Sequence, residues 1–379
     1  MNLRFALAAL IALPFAVRAE PPAVEQALAR AKVNRPELER ALNGVAPDQR
    51  AGMAFLIANM PDSDLTQLKA DFLITNVELA YKARAEVPWG KHIPEEIFLN
   101  DVLPYANVDE RRDAWRAEFY DLCLPLVRDC KTPAEAARKL NSELFQKLKL
   151  GYSTQRKAPN QSPKESIEQG KASCTGLSIV LSDACRAMCI PARIVGTPMW
   201  ANKRGNHTWV EIWDAGWHFT GACEQDPGGL NRGWFVGDAA QAKRDSPEHA
   251  IYAASFRKSP IHFPLVWARG NKNVPAENVT DRYAKKSEPQ KDVVRVSIRV
   301  LDANKKRLVA PVVIVGVSEP KFKTVGQSRG ESADLNDLLG FDLKPEQEYE
   351  VVVTGAERQS FKTGKVGQSR TIEVVLVDR

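Results

Sequence analysis

From Pro21 to about Leu150, apolar residues recur at three- and four-residue intervals, as in VEQALARA and DLTQLKADFLITNVELAYKA. That spacing lays one apolar stripe along a helix. Pro61, Pro88 and Pro104 interrupt it, so the region reads as several helices. The last of them has a defined start: Thr132-Pro133-Ala134-Glu135 offers an N-cap hydroxyl, a first-turn proline and a reciprocal glutamate ahead of AARKLNSELFQKL. Ser162-Pro163-Lys164-Glu165 repeats the device before a shorter helix. The pattern is then mixed up to about Phe263, and a polar stretch at 269–290, opening RGNKNVP, reads as a linker. Beyond it the period falls to two. VVRVSIRVL, APVVIVGV, YEVVVTG and TIEVVLV are expected strands of a small β-sandwich, in which FKTVGQSR at Phe322 and FKTGKVGQSR at Phe361 echo each other as a repeated hairpin edge. The expected architecture is α+β: a helical region at 20–150, a mixed core at 151–268, the linker, and a sandwich at 291–379.

Residues 1–19, MNLRFALAALIALPFAVRA, carry an early Arg4, an apolar run and small residues at Val17 and Ala19. They read as a secretory signal peptide cleaved before Glu20, since the run is shorter than the roughly 20 apolar residues that span a bilayer. No later stretch approaches that length, so a protein free of membrane spans, secreted or periplasmic, is expected. Across 379 residues, 53 Lys and Arg face 47 Asp and Glu, for a net charge of +6. So mild an excess gives no reason to expect nucleic acid as a partner.

Export makes disulfides possible for the six cysteines. Cys123 and Cys130 are the expected local bridge, while Cys185, Cys189 and Cys223 read as core thiols. No H-E-x-x-H, paired C-x-x-C or D-x-D-x-D-G pattern occurs, so no metal or other cofactor is expected.

The chemistry concentrates between Ser162 and Asp238. Cys174 follows small residues and precedes TGLSIVLSDACRAM, which continues with helical spacing until Ile190-Pro191. It therefore sits at a helix N-terminus, where unpaired N–H groups favour a thiolate and can hold an oxyanion. PARIVG returns as a strand, and HTWVEIW, the DAG turn and WHFTGA form a hairpin opened by His207. A cysteine at a helix start and a histidine on a neighbouring strand supply nucleophile and base for acyl transfer from an amide.

C-x-G-L-S at 174–178, R-A-x-x-I-P-A-R-x-V-G at 186–196 and N-H-T-W-V-E-x-W at 206–213, in that order, resemble the core of the transglutaminase-like superfamily. The resemblance implies a papain-like α+β core with Cys174 as nucleophile and His207 as base, and a protein or peptide substrate. In many relatives an Asp follows the return-strand Trp by four residues. Counted from Trp217 that place is Gly221, so the third residue must come from elsewhere. Glu224 is chosen, redirected by a bulge at Gly221-Ala222, ahead of Asp226 and of Asp214 in the turn. Glu211 lies too far along its strand to orient the imidazole and reads as a surface or salt-bridge residue. Asn231-Arg232-Gly233-Trp234 reads as a simple loop, with lining of the substrate cleft as the alternative, Arg193 as structural, and His218, His92, His249 and His262 as satisfied or surface histidines. The implied activity is a Cys-His-acid thioester mechanism, hydrolytic in a peptidase or amidase, with protein crosslinking or a non-catalytic binding scaffold as alternatives.

Overall fold

The computed structural model describes residues 21–284, 292–366 and 368–376. The signal-peptide segment lies outside them. Eight helices come first: α1 (Pro22–Arg30), α2 (Arg35–Gly44), α3 (Arg50–Asn59), α4 (Asp62–Gln67), α5 (Ala70–Glu86), α6 (Glu95–Asp101), α7 (Trp115–Val127) and α8 (Pro133–Lys147). The Thr132 hydroxyl accepts the Glu135 N–H, so α8 starts where its cap predicts, although Glu135 reaches back to the Lys131 N–H rather than to Thr132. After β1 (Gly151–Tyr152) comes α9 (Pro163–Gln169), with the full reciprocal box between Ser162 and Glu165. β2 (Lys171–Ala172) leads into α10 (Cys174–Ala187).

Helix α10 is apolar on nearly every side and every residue after Cys174 is buried, which makes it the axis of the molecule. The helical region shares one core with it. Buried Arg116 of α7 strengthens that junction, donating to the carbonyls of Arg186, Val102 and Pro104 and to Asn76 Oδ1 at 2.7–3.0 Å. Its charge is thereby spread over several backbone carbonyls and one amide oxygen.

The other side of α10 packs on an antiparallel sheet ordered β5-β4-β3-β6-β7. Its strands are β3 (Ala192–Thr197), β4 (His207–Trp213), β5 (Trp217–Thr220), β6 (Tyr252–Ala254) and β7 (Ala276–Asn278). A short α11 (Val236–Ala239) follows β5, and α12 (Thr280–Tyr283) follows β7. The described part of the expected linker, 269–284, is not a plain linker; 285–290 lie outside the described residues. β7 pairs with β6, and Val274, Ala276, Val279 and Thr280 are buried. Its polar composition hides this because only alternate residues face inward.

Residues 292–366 and 368–376 form two packed sheets, β10-β9-β12-β13 and β11-β8-β14. The strands are β8 (Val294–Leu301), β9 (Pro311–Gly316), β10 (Lys323–Gln327), β11 (Leu339–Leu343), β12 (Glu348–Val353), β13 (Gln359–Lys362) and β14 (Ser369–Val375). The FKT echo marks the two edges of the four-stranded sheet, and Phe322 and Phe361 both pack on Tyr349. All six cysteines are free, the expected Cys123–Cys130 bridge included. Cys123 sits within α7, which runs through Pro125 to Val127, whereas Cys130 follows the turn after the helix, its N–H bonded to the Val127 carbonyl at 2.9 Å.

Candidate active site

Ser173 caps α10. Its hydroxyl accepts the Gly176 N–H at 3.0 Å and donates to the Pro159 carbonyl, which leaves Cys174 as the first helical residue, half-buried. The first N–H groups of a helix have no intrahelical acceptor, so those of Cys174 and Thr175 can face a developing oxyanion. One residue further, Thr175 Oγ1 meets Thr208 Oγ1 at 3.0 Å, and Ser178 donates to the Thr208 carbonyl at 3.4 Å. These contacts fix the helix start against the start of β4 and so bring Cys174 beside His207.

The His207 ring is fully buried within an aromatic box. Ring centres lie at 4.7 Å for Trp234, 5.0 Å for Phe235, 5.8 Å for Trp209 and 6.2 Å for Trp200. Nε2 is 3.0 Å from Glu224 Oε1, and Nδ1 is 3.6 Å from Asp334 Oδ2. Neither nitrogen has a hydrogen bond of good direction, so both contacts are ion-pair approaches. Cys174 Sγ, a ring nitrogen of His207 and a carboxylate oxygen of Asp334 all lie within 4.8 Å of one another. Burial works against a charged ring, but Glu224, Asp334 and the Cys174 sulfur outweigh it and raise the His207 pKa well above the ordinary imidazole value. Burial also pushes the Glu224 carboxyl up while His207 pulls it back. With two carboxylates facing one ring, the direction that stands is an imidazolium held between them.

Glu224 arrives there through its neighbours. Strand β5 ends at Thr220, and Cys223 adopts a left-handed φ of 64°, which folds the Glu224 side chain back over Gly221. A Cβ on Gly221 would stand 2.5 Å from Glu224 Oε1, so the glycine at the usual acid position clears the space that the displaced acid fills. Asn141 of α8 anchors the turn: its amide donates to the Gly221 carbonyl at 2.8 Å and to Thr220 Oγ1 at 3.1 Å, and its oxygen accepts the Cys223 N–H at 2.9 Å. Trp234 Nε1 donates to Glu224 Oε2 at 3.0 Å. The segment at Asn231–Trp234 is therefore more than a simple loop, since its tryptophan holds the acid and walls the histidine.

The other acidic candidates are engaged elsewhere. Asp226 accepts from the Gly228 N–H and Arg232, and Asp214 accepts the Ala134 N–H. Glu211 is fully buried rather than at the surface, paired with Arg193 at 2.8 Å and bonded by Tyr283 and Arg282. His218 is satisfied by Asn231 and the Asp214 carbonyl. Burial pushes the Cys123 and Cys189 thiols up to about 12 and that of Cys223 to about 11. Sequence reasoning missed Asn141, Trp234 and Asp334.

Residues 120–239 match the family model of the transglutaminase-like superfamily. No curated protein matches the chain. Among solved structures, the chain is similar to a candidate cysteine protease from Cytophaga hutchinsonii, at 17% identity over 43% of this chain and 58% of that one, with a TM-score of 0.26. It is also similar to the transglutaminase of red sea bream, at 10% identity over 73% and 66%, TM-score 0.33. BcpA, the major pilin subunit of Bacillus cereus, is similar at 13% identity over 45% and 38%, TM-score 0.18. The chain thus spans between about two fifths and two thirds of the length of these structures.

Proposed function

We propose that this chain, whose core belongs to the transglutaminase-like superfamily, is an extracytoplasmic cysteine enzyme that cleaves amide bonds of proteins or peptides through a thioester. The carrying observation is the placement of Glu224 Oε1 3.0 Å from His207 Nε2, with Cys174 Sγ within 4.8 Å of a ring nitrogen of the same histidine. In this reading Cys174 Sγ attacks the amide carbonyl, and the N–H groups at the start of α10 receive the oxyanion. Protonated His207 gives its proton to the leaving amine, and the neutral ring then takes one from the water that resolves the thioester. Glu224, held by Trp234, keeps the imidazole oriented and balances its charge.

A groove of about 550 Å³, walled by Phe263, Pro264 and Val266 among others, shares those residues with a small cavity at His207. Its apolar walls suit side chains of an extended peptide. Among the described residues no helix is long and apolar enough to cross a membrane.

The test incubates the metal-free protein with a glutamine-containing peptide and a labelled primary amine. Free acid with ammonia release is expected. An amine adduct would instead mark a crosslinking enzyme. Absence of either product across a panel of peptides, with the protein folded and the Cys174 thiol intact, would move the reading to a binding scaffold.

A further inference from the structure

We propose that Cys174, His207 and Asp334 form a site for a divalent ion of the zinc type, which ties the thiol to the C-terminal sandwich and masks it while bound. The site stands whether or not the chain is an acyl-transfer enzyme.

Asp334 lies on the connection between β10 and β11, 160 positions after the cysteine, and is 3% exposed. Its Oδ1 accepts the Asn336 N–H at 2.8 Å, and Arg307, itself buried, donates to its carbonyl at 3.0 Å and to that of Ala333. Two more bonds seat the connection on the catalytic half: the Leu335 N–H on Tyr152 Oη at 3.1 Å, and Asn336 Nδ2 on the Asn206 carbonyl at 2.8 Å. The carboxylate is therefore held in place from both sides.

His207 supplies the second, independent observation. It is fully buried, and its Nδ1 points toward Asp334 with no hydrogen-bond partner. A separation of 3.6 Å is too long for a hydrogen bond. It is the right length for two ligands of one ion, because zinc bond lengths of about 2.0–2.3 Å place neighbouring ligand atoms of a tetrahedron about 3.3–3.7 Å apart. Sγ needs a swing of about an ångström to join them. Beyond the ligands, Glu224 on Nε2 gives the carboxylate behind the histidine that metal sites use to fix ring and tautomer, and Trp234 fixes the carboxylate. Sulfur, imidazole and a single carboxylate favour zinc over magnesium or calcium, which take oxygen shells. As the ion binds, the His207 ring releases its Nδ1 proton and any proton on the Cys174 sulfur leaves with it to solvent, Nε2–H staying toward Glu224; a water completes the fourth position, and the engaged sulfur lone pair no longer attacks a carbonyl.

The test uses the reduced, metal-free full chain. ZnCl₂ titrated against a chromophoric chelator is expected to load one ion per chain and to protect Cys174 from iodoacetamide. CoCl₂ is expected to give a thiolate-to-cobalt absorption that Cys174→Ser abolishes. Asp334→Asn is expected to weaken zinc binding at least 10-fold, and Glu224→Gln about 10- to 100-fold, the range for lost outer partners. Zinc affinity undiminished in Asp334→Asn would overturn the proposal. So would a wild-type cobalt complex without the thiolate band, a readout that holds even where a variant folds poorly. Failure of the acyl-transfer reading is seen separately, in the peptide assay run with chelator present.

Discussion

Replacing Gly221 with alanine separates the position of Glu224 from its presence. The added Cβ would stand 2.5 Å from Glu224 Cγ and Oε1 and 2.9 Å from Cδ, while φ at 221 is outside the left-handed region, so the backbone tolerates alanine and the carboxylate must give way. Restoring ordinary contact moves it by about an ångström. Retreat of Oε1 from 3.0 Å to about 4 Å weakens its attraction to the protonated His207 ring by about 1.4 kcal/mol at an effective dielectric of about 20. That is a tenfold loss in the population of the charged pair. Burst release of nitrophenolate from p-nitrophenyl acetate counts acylation of Cys174 without requiring the natural substrate. Acylation of Gly221→Ala should fall roughly tenfold, with stability lowered by about 1–2 kcal/mol because Cγ and Cδ of a side chain held by Trp234 must shift with the carboxylate. In a Glu224→Ala background the same alanine should have no further effect. An equal loss in that background would refute the view that Gly221 acts by admitting Glu224.

Asn141→Ala should unfold at lower urea with unchanged m-value, by about 2–4 kcal/mol, because it orphans the Gly221 carbonyl and the Cys223 N–H in a largely buried turn. It should also slow acylation, and a midpoint matching wild type would contradict the anchoring role. Asp101 is buried, and burial, opposed by Arg193 and Arg186, raises its pKa to about 6. The folded state therefore binds more protons than the unfolded state between about pH 4 and 6, so this group's contribution to stability falls as pH rises through that window. The stability of Asp101→Asn relative to wild type should rise by about 3 kcal/mol from pH 4 to pH 7, measured by urea unfolding, and a pH-independent difference would contradict it.

Local chemistry was legible in the sequence because it depends on near neighbours. The Cys174 helix start and the His207 hairpin each declare themselves within a dozen residues, and Glu224 was within reach because the chain must turn after β5. Asn141, Trp234 and Asp334 left no such mark. Asn141 lies on the apolar stripe of α8, beside Ala137, Leu140, Leu144 and Phe145, and nothing near it in the sequence says that the turn after β5 supplies its partners. Trp234 looked like loop because its hydrogen-bond partner, Glu224, becomes a neighbour only when the chain folds back. Asp334 belongs to a different packed unit altogether, and no spacing rule links position 334 to position 174. The polar stretch before the sandwich concealed β7 for a related reason: an edge strand of three residues needs few apolar positions.

The central claim is that Cys174 and His207 act as one nucleophilic pair. It is tested most directly by the rate of iodoacetamide alkylation at Cys174 as a function of pH, read by peptide mass spectrometry with chelator present, in wild type and His207→Ala. Labelling is expected to be fast at neutral and mildly acid pH in wild type and slow across that range in the variant. Slow labelling with an ordinary thiol profile in both proteins, with Cys174 reactive once unfolded, would contradict it.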